Sequence, residues 1–368
     1  LKLKVFQSDF LFDAKNYGAI ASAYIDQHKN DILLSTGNQF YFFDIQEFEN
    51  DIFLSKQIPS NIDLFLKNFN SLEKSSLAGF GVRDIAIIDN NVYLSYTNEL
   101  KENCFNTSII IAKFETEYLK FENFFEPDAC VDKENVYGLF TPYISGGRIV
   151  NYSKDTILLT TGSFQFRSLA QEKNNVFGKI LSINKLNQEY EVISLGHRNP
   201  QGLYFDKFNN VIISTEHGPM GGDEININIS PNKVVKNFGW PISSYGFHYK
   251  DHPSNVLAPL HKSHSNHGFV EPIHYFTPSI GISELIKIPK KFLNSDSNNF
   301  FVTSLGNDVR DGDMSIHLFK FDKKYKKILE KETINIFERI RDIKYIEKLN
   351  SSLAWLESSG SLGLIFIE

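Results

Sequence analysis

A unit of two apolar segments joined by a polar turn recurs along the chain. In each copy, an apolar stretch leads into a turn that contains Asp, Asn, Lys or Ser, and a second apolar stretch ends in small or hydroxyl residues. This pattern is typical of a tight β-hairpin. Six copies can be recognised, at residues 21–35, 82–95, 148–160, 203–214, 285–303 and 343–355.

The recurrence of this hairpin predicts the fold. Successive copies lie roughly 55 to 80 residues apart, which leaves room for a four-stranded sheet with loops at one end. Helical periodicity is nearly absent, and the best helical candidate, 61–74, is short enough to be a loop. We therefore expect an all-β protein, a six-bladed β-propeller of four-stranded antiparallel blades that forms a single domain over residues 1–368. The alternative is a β-sandwich, which does not require six similar units.

Composition and charge narrow the class of protein. Hydrophobic residues make up 42% and charged residues 22% of the chain, which is typical of a folded globular protein. The formal net charge is −6 and the lysines are dispersed, so no basic stripe is available for nucleic acid. No apolar run approaches the roughly 20 residues needed to cross a bilayer. We expect neither a nucleic-acid partner nor a membrane span.

Two cysteines, Cys104 and Cys130, provide information about the cellular compartment of the protein. They suit one disulfide in an oxidising environment, although two buried free thiols are the alternative. The sequence begins with Leu1 rather than Met, as it would after removal of a signal peptide, but a trimmed chain would look the same. We expect a periplasmic or secreted protein.

The densest group of polar residues flanks the fourth hairpin. It reads His-Arg-Asn-Pro-Gln-Gly-Leu from residue 197, Glu-His-Gly-Pro-Met-Gly-Gly-Asp-Glu from 216 and Asn-Phe-Gly-Trp-Pro from 237. The first two segments would meet at one end of a blade, beside the central channel. Arg198 offers a planar set of donors for a carboxylate and Asn199 adds a donor and an acceptor, so an anionic ligand is indicated. Because Pro219 lacks an N–H, the carbonyl groups around Gly218 are freer to face a hard cation such as calcium.

These three segments resemble the signature of the glucose/sorbosone dehydrogenase family. The similarity is strongest over residues 146–368 and is weak before residue 146, where it is limited to segments such as 81–86. The family consists of six-bladed propellers, and many members oxidise aldose sugars with pyrroloquinoline quinone (PQQ) and calcium. The resemblance implies the same fold, cofactor and ion here.

The resemblance also assigns roles to individual residues. Arg198 and Asn199 would contact the quinone, and the carbonyl groups of Gly218 and Pro219 would bind the calcium ion that polarises it. Arg339 and Arg341 would hold the carboxylates of the cofactor, since three guanidinium groups around one channel call for an anion. The alternative for Arg339 and Arg341 is a pair of surface ion pairs with Glu338 or Asp342.

The chain departs from the family at four positions. The histidine that takes the proton of the sugar's anomeric hydroxyl falls at Tyr143 or Ile144, depending on how the following glycines align. Ser163 stands where the family has aspartate, Gly306 stands where it has lysine, and the glutamine expected before Gly81 is absent. A missing general base typically removes about 10²- to 10⁴-fold of the rate, so these departures argue against ordinary sugar oxidation.

A histidine-rich stretch could supply a replacement base or a transition-metal site. No acidic or cysteine partner completes a metal signature within it, so a polar loop is the favoured interpretation. Its members are His248, His252, His261, His264, His267 and His274.

Three functions remain open on the sequence. The first is a PQQ- and calcium-dependent aldose sugar dehydrogenase-like protein that oxidises a sugar at C1 to a lactone and passes electrons to an external acceptor. The second is a non-catalytic propeller that binds a sugar, a quinone or an acidic group of another protein. The third is a calcium-dependent lactonase, although such sites use side-chain oxygens on the channel axis, whereas this loop offers main-chain carbonyls.

Overall fold

The computed structural model describes residues 1–6, 22–48, 55–66, 80–135, 139–306 and 313–367. Six separate sheets follow one another along these residues, each a small meander of antiparallel strands. The innermost strands of consecutive sheets pack side by side in a closed ring. The structure is a six-bladed β-propeller, which confirms the all-β fold class expected from the repeats.

The strands are numbered in chain order and grouped into blades. The first strand is β1 (Lys2–Phe6). Blade 1 contains β2 (Ala23–His28), β3 (Asp31–Thr36), β4 (Gln39–Asp44) and β5 (Lys56–Ile58). Blade 2 contains β6 (Val82–Ile88), β7 (Asn91–Lys101), β8 (Cys104–Lys113), β9 (Glu122–Phe125) and β10 (Val131–Asp132). The first four strands of blade 3 are β11 (Gly146–Asn151), β12 (Thr156–Thr161), β13 (Lys179–Asn184) and β14 (Tyr190–Leu195).

The remaining blades follow the same plan. Blade 4 contains β15 (Pro200–Asp206), β16 (Val211–Glu216), β17 (Asp223–Ile229) and β19 (His274–Phe276), while β18 (Lys236–Asn237) returns to blade 3. Blade 5 contains β20 (Ile282–Ile288), β21 (Asn298–Ser304), β22 (Ser315–Phe321) and β23 (Ile328–Asn335). Blade 6 contains β24 (Ile340–Ile346), β25 (Ser351–Leu356) and β26 (Ser361–Phe366), and β1 completes it by pairing with β26.

Blades 2 and 3 differ from the expected four strands. In blade 2, both β9 and β10 pair with β8. In blade 3, the two-residue β18 adds a parallel edge to β14. Among the described residues, helical structure is confined to short segments, namely α1 (Lys290–Leu293) and the 3-10 turns Ile45–Phe48, Ile62–Leu64, Arg167–Gln171, Pro253–Leu257 and Ser265–His267. Of the helical candidate 61–74, residues 61–66 contain one of these turns, and 67–74 lie outside the described residues.

Packing between blades explains the apolar runs that marked the hairpins. Leu158 and Leu159 are consecutive in β12, yet Leu159 packs with blade 2 and Leu158 with blade 4. In β21, Phe300 and Phe301 likewise face different neighbouring blades. Because side chains alternate between the two faces of a strand, a sheet buried on both faces needs apolar residues at consecutive positions. The second strand of each hairpin therefore contains a run of consecutive hydrophobic residues.

Two further expectations concern the cysteines and the membrane. Cys104 and Cys130 form a disulfide that joins the start of β8 to the residue before β10, so the free-thiol alternative does not apply. Within the described part of the chain, no helix is both long and apolar enough to cross a bilayer.

Candidate functional site

Irregularities in the inner strands bring polar side chains to the central channel. The pairing register shifts within five of the six inner strands, namely β6, β11, β15, β20 and β24. Such a bulge adds a residue to one strand and redirects its side chain. The bulges involve Arg83, Arg148, Gln201, Glu284 and Arg341. Each of these residues lines one of two cavities at the channel.

The Arg148 cluster lies at the middle of the channel. Atom Nη1 of Arg148 is within 3.0 Å of carboxylate oxygens from three other inner strands, those of Asp84 (3.0 Å), Glu284 (2.9 Å) and Asp342 (2.8 Å). Burial opposes the charge of Arg148, but these carboxylates outweigh it and raise the pKa of the guanidinium. Burial also raises the pKa of Glu284 to about 7, in spite of the nearby arginine. The cluster is a buried group of ion pairs between the two cavities.

The larger cavity has a volume of about 1030 Å³. It lies at the end of the propeller that carries the loops of blade 4, and the smaller one, about 240 Å³, lies on the other side of the Arg148 cluster. The predicted site residues in its wall are Tyr143, Ile144, Arg198, Asn199, Gly218 and Arg341. Segments of blades 3, 4 and 6 thus converge on one site, although they are distant in sequence.

Arg198 is held in the wall by a buried hydrogen-bonded chain. Its main-chain N–H donates to Oε1 of Glu216. The other oxygen of that carboxylate is 2.9 Å from Nδ1 of His197, whose Nε2 is 2.8 Å from Oγ of Ser194. Ser194 and His197 are completely buried and do not line the cavity, so this chain positions Arg198 rather than meeting a ligand. The guanidinium lies over the ring of Trp240 at 5.4 Å.

The loop at Gly218 is tightly folded around a buried carboxylate. Oδ1 of Asp223 accepts the N–H of Gly218 at 3.2 Å, and its Oδ2 accepts main-chain N–H groups from the start of blade 5. A Cβ on Gly218 would lie 1.8 Å from the carbonyl oxygen of Gly222, so only glycine fits. Gly218 lines the cavity. Pro219 is not part of its wall, and its carbonyl oxygen is 3.4 Å from Oγ of Ser279.

Glu357 binds both arginines of the sixth blade. Its oxygens accept from Nε of Arg341 at 2.7 Å and from Nη2 of Arg339 at 3.1 Å, and the carboxylate is completely buried. Arg341 lines the cavity. Arg339 stands behind the wall, where its Nη1 donates to the carbonyl oxygen of Gly306 at 2.6 Å. The partners considered from the sequence, Glu338 and Asp342, are therefore not those of the structure.

Three of the four departures from the family lie in this region, and the fourth, the glutamine missing before Gly81, concerns a segment that is mostly outside the described residues. Tyr143 and Ile144 both line the cavity; the side chain of Tyr143 is partly exposed, whereas Ile144 is buried. Ser163 is buried behind Arg198, to whose carbonyl oxygen its N–H donates at 2.9 Å. Gly306 is in the wall. No basic side chain stands at the expected histidine position, on either alignment.

The histidine-rich stretch lies away from the cavity wall. His264 is buried with Nε2 at 3.2 Å from Glu224, and that carboxylate outweighs the effect of burial and raises the pKa of the imidazole. The rings of His261 and His267 stack at 3.9 Å. In the part of the chain that the structure describes, no group of three His, Cys, Asp or Glu side chains has the geometry of a metal site. Five of those histidines lie in the loop between β18 and β19, as expected, whereas His274 is the first residue of β19.

The family model described as Glucose / Sorbosone dehydrogenase matches residues 79–362, which is most of the chain. The chain belongs to this family. The match includes the inner strands of blades 2 to 6 and every residue of the cavity wall named above.

Individual relatives match shorter segments. The aldose sugar dehydrogenase YliI of Escherichia coli is 32% identical over 164 residues, 41% of this chain and 41% of that protein. Quinoprotein glucose dehydrogenase B of Acinetobacter calcoaceticus is 34% identical over 111 residues, 25% of this chain and 21% of that protein. The aligned segments thus span less than half of these relatives.

Solved structures share the fold over the whole chain. The apo form of soluble aldose sugar dehydrogenase from E. coli has a TM-score of 0.72 at 18% identity and covers 100% of this chain and 99% of that one. The PQQ-bound aldose sugar dehydrogenase of Streptomyces coelicolor has a TM-score of 0.61 at 15% identity, with 99% and 98% covered. The propeller of this glucose/sorbosone dehydrogenase family member is thus the architecture of those enzymes.

The donor set of the cavity fits ligands that carry anionic groups. Nε of Arg198 and Nη2 of Arg83 are buried and have no hydrogen-bond partner. Nε2 of His217 is also buried and unpaired, and burial lowers the pKa of that imidazole. An unpaired buried donor costs free energy, so these atoms indicate a ligand with acceptor oxygens. A quinone with three carboxyl groups supplies such oxygens.

Sequence reasoning missed two of these site residues. Arg83 belongs to the segment 81–86 that resembles the family, but nothing in its neighbours marks it as part of the cavity. Glu357 follows β25, and its N–H donates to the carbonyl oxygen of Arg339 at 2.7 Å. The register of the sixth hairpin would have placed Glu357 opposite Arg339, and that is the signal that could have identified it.

Proposed function

We propose that the large cavity binds PQQ and calcium and that the protein oxidises an aldose sugar at C1 to a lactone, passing the electrons to an external acceptor. The observation that carries the proposal is the group of buried donors in one wall, with Arg198, Asn199 and Arg341 around a cavity of about 1030 Å³. Pockets for drug-sized ligands are typically about 300 to 1,000 Å³, so this volume admits a cofactor and a sugar together.

The residues of the chain would divide the work of holding the ligands. Arg198 and Arg341 would bind the carboxylates of the quinone, and Asn199 would add an amide donor. The carbonyl of Gly218, on a loop fixed by Asp223, would ligate calcium. The bound quinone would supply a two-electron acceptor for hydride. Pro219 is the weaker ligand candidate, because it lies outside the wall.

Oxidation of a sugar at C1 also releases the proton of the anomeric hydroxyl, and the chain must accept it. The family position for that task holds Tyr143 or Ile144. Ile144 has no acceptor atom, and a tyrosine hydroxyl is a poor base at neutral pH. We therefore expect turnover below that of relatives with the histidine.

The absence of a base at this position specifically favours a second candidate, a propeller that binds PQQ or a sugar without turning it over. A lactonase is less well supported. In this structure, the axial carboxylates Asp84, Glu284 and Asp342 surround Arg148, so they are not free to bind a cation.

The experiment that tests the proposal is a titration of the purified protein with PQQ and calcium, followed by addition of aldoses and a dye acceptor. Binding is measured by absorbance and by the shift in melting temperature, and turnover by reduction of the dye. Dye reduction supports the dehydrogenase, whereas binding without reduction supports the second candidate. Absence of PQQ binding at micromolar concentrations would refute both uses of the cavity for the quinone.

Paired arginine variants make the titration specific. Arg198→Leu removes a cavity donor and is expected to weaken PQQ binding about 10- to 100-fold. Arg167→Leu removes the same charge from a residue near Arg198 that does not line the cavity and whose Nη1 donates to Asn255. The Arg167 variant should retain PQQ affinity within a few-fold. Equal effects of the two variants would contradict direct binding by Arg198.

We further propose a periplasmic or extracellular location. The disulfide between Cys104 and Cys130 supports it, because such bonds persist in oxidising compartments.

A further inference from the structure

Arg83 enters the cavity because two neighbouring blades are shaped to admit it. It occupies the bulge of β6 between Val82 and Asp84. In blade 3, the adjacent Gly147 has a φ of +125°, and a Cβ built there would lie 2.2 Å from Cβ of Arg83. The left-handed backbone and the missing side chain of Gly147 therefore create the space through which the stem of Arg83 passes.

The guanidinium of Arg83 is buried without a counterion. Its Nε donates to Oγ1 of Thr97 at 3.1 Å, its Nη2 has no partner, and only 8% of the residue is exposed. In the described ranges, no carboxylate is within ion-pair distance of it. Burial lowers the pKa of Arg83 to about 10, with a further contribution from Arg341, so the group is still charged at neutral pH.

Two other arginines at the channel are paired with carboxylates. Arg148 is neutralised by three carboxylates, and Arg341 by Glu357. A buried, unpaired charge is strongly destabilising, and an arginine is recognised best by a carboxylate or phosphate that accepts two parallel hydrogen bonds. The cavity thus contains two buried arginines whose guanidinium groups have an unpaired donor, Arg198, assigned above to the quinone, and Arg83.

Arg83 belongs to a different blade from the proposed quinone contacts. The inner strands are arranged in the order β2, β6, β11, β15, β20 and β24, so β6 is two blades from β15 and two blades from β24. Arg198 and Asn199 adjoin β15, and Arg341 is in β24. Arg83 and Tyr143, at the family's base position, line the same cavity, and both Arg341 and Tyr143 are close enough to Arg83 to influence its charge. Arg83 is thus placed to contact a ligand near the position where the sugar's reactive hydroxyl is expected.

We propose that Arg83 binds an anionic group of the substrate, so that the cavity selects an acidic sugar, carrying a carboxylate or a phosphate, over a neutral aldose. The oxidation of that sugar rests on the function proposed above, but its recognition does not. Gln165, whose Oε1 is buried, unpaired and in the same wall, would accept a sugar hydroxyl.

The test is isothermal titration calorimetry of the full chain with glucose, glucuronate and glucose 6-phosphate, without PQQ and again with PQQ and calcium. We expect at least one acidic sugar to bind about 10- to 100-fold more tightly than glucose, with an affinity that falls as salt is raised. The comparison of glucuronate with glucose 6-phosphate distinguishes a carboxylate from a phosphate as the preferred group.

Variants of Arg83 identify the residue responsible. Arg83→Leu should abolish the preference and leave the affinity for glucose within about three-fold, and Arg83→Lys should retain part of it, because lysine keeps the charge but not the planar donor pair. Melting temperatures of both variants show whether they fold. If the leucine variant does not fold, the lysine variant and the salt dependence of the wild-type preference still test whether Arg83 confers the preference for acidic sugars.

Three results would overturn the inference. The first is equal affinity of the wild-type protein for acidic and neutral sugars. The second is an unchanged preference in a folded Arg83 variant. The third is a loss of PQQ affinity in Arg83→Leu, measured by absorbance without sugar, while the sugar preference stays unchanged. Arg83 would then bind the cofactor rather than the substrate. Failure of PQQ to bind the wild-type protein contradicts the proposed function instead, and leaves the sugar preference measurable.

Discussion

Glu357 and Arg341 form a buried ion pair, with Oε2 of the carboxylate 2.7 Å from Nε of the guanidinium. The same carboxylate holds Arg339, so one anion fixes two of the arginines that the family resemblance assigns to the cofactor. Burial opposes ionisation of Glu357, but Arg341 and Arg339 outweigh it and lower the pKa of the carboxyl group. Arg341 is therefore presented to the cavity already oriented, which reduces the entropy that a ligand must remove.

The first prediction concerns that pair. Glu357→Gln leaves two guanidinium groups without an anion, and we expect the free energy of unfolding to fall by about 3 kcal/mol, measured by urea denaturation. An anionic ligand should compensate, so PQQ should raise the melting temperature of this variant more than that of the wild type. Glu330→Gln, which removes an exposed partner of Lys320, is the control and should cost less than about 1 kcal/mol. Equal losses would show that Glu357 is not a buried counterion.

The second prediction restores a base. Tyr143→His places an imidazole at an accessible position of the cavity wall, and we expect dye reduction to rise about 10- to 100-fold, with kcat/KM increasing through a pKa near 6.5. Tyr143→Phe removes the hydroxyl group without adding a base and should not show the rise. Ile144→His should instead reduce stability, because Ile144 is buried. A flat pH profile for Tyr143→His would mean that proton transfer does not limit the rate.

The third prediction follows from Glu284. Its pKa is about 7 in the folded protein and near its ordinary value of 4.5 in the unfolded chain. Between these values the folded state retains a proton that the unfolded state loses, so this group contributes stability below pH 4.5 that is lost as the pH rises to 7, by about 3 kcal/mol. Glu284→Gln should remove that part of the pH dependence. Parallel stability curves for wild type and variant, from urea denaturation at several pH values, would contradict it.

The fourth prediction tests the disulfide. Its two cysteines are 26 residues apart, and closing a loop of this length stabilises a folded protein by about 3 kcal/mol in the chain-entropy description. The double variant Cys104→Ser/Cys130→Ser should lose about this amount in urea denaturation. Reduction of the wild-type protein should have the same effect, whereas the double variant should not respond to reductant. A wild-type protein that is insensitive to complete reduction would refute the contribution.

The fifth prediction concerns Gly147. Gly147→Ala places a methyl group against Cβ of Arg83 in a backbone conformation that alanine rarely adopts, and we expect a loss of about 3 kcal/mol or more. Gly268 also has a positive φ, +80°, but has nothing within 4 Å of its Cβ position. Gly268→Ala should therefore cost only about 1 to 2 kcal/mol. Similar losses for the two variants would mean that the contact with Arg83 is easily relieved.

The sequence predicted the features that depend on short segments. Leu158 and Leu159 belong to an apolar run that reflects burial on both faces of a blade, and such runs revealed the six hairpins. Arg198, Asn199 and Gly218 lie in contiguous motifs on either side of one hairpin, so their convergence followed from the fold. The fifth strands of blades 2 and 3 could not be predicted, since β18 has only two residues and pairs with a distant strand.

The orientation of a side chain at a bulge could not be predicted from the sequence. Arg83 faces the cavity only because of a bulge in β6, and the sequence around residue 83 does not distinguish a bulged strand from a regular one. Asp342 was considered as a partner of Arg339 or Arg341 because it is their neighbour in sequence. Instead, the bulge in β24 directs Asp342 to Arg148 and Arg341 to Glu357.

The Arg148 cluster blocks the central channel, so the larger cavity is open at one end of the propeller only. Its buried ion pairs close the channel between the two cavities, so whatever enters the larger one must leave by the same mouth. Under the proposed chemistry, the oxidised sugar has to depart before an electron acceptor can come close, and the two partners would alternate at a single opening. We therefore expect that a high concentration of the sugar inhibits the reaction with the electron acceptor, and that a high concentration of the acceptor inhibits the reaction with the sugar.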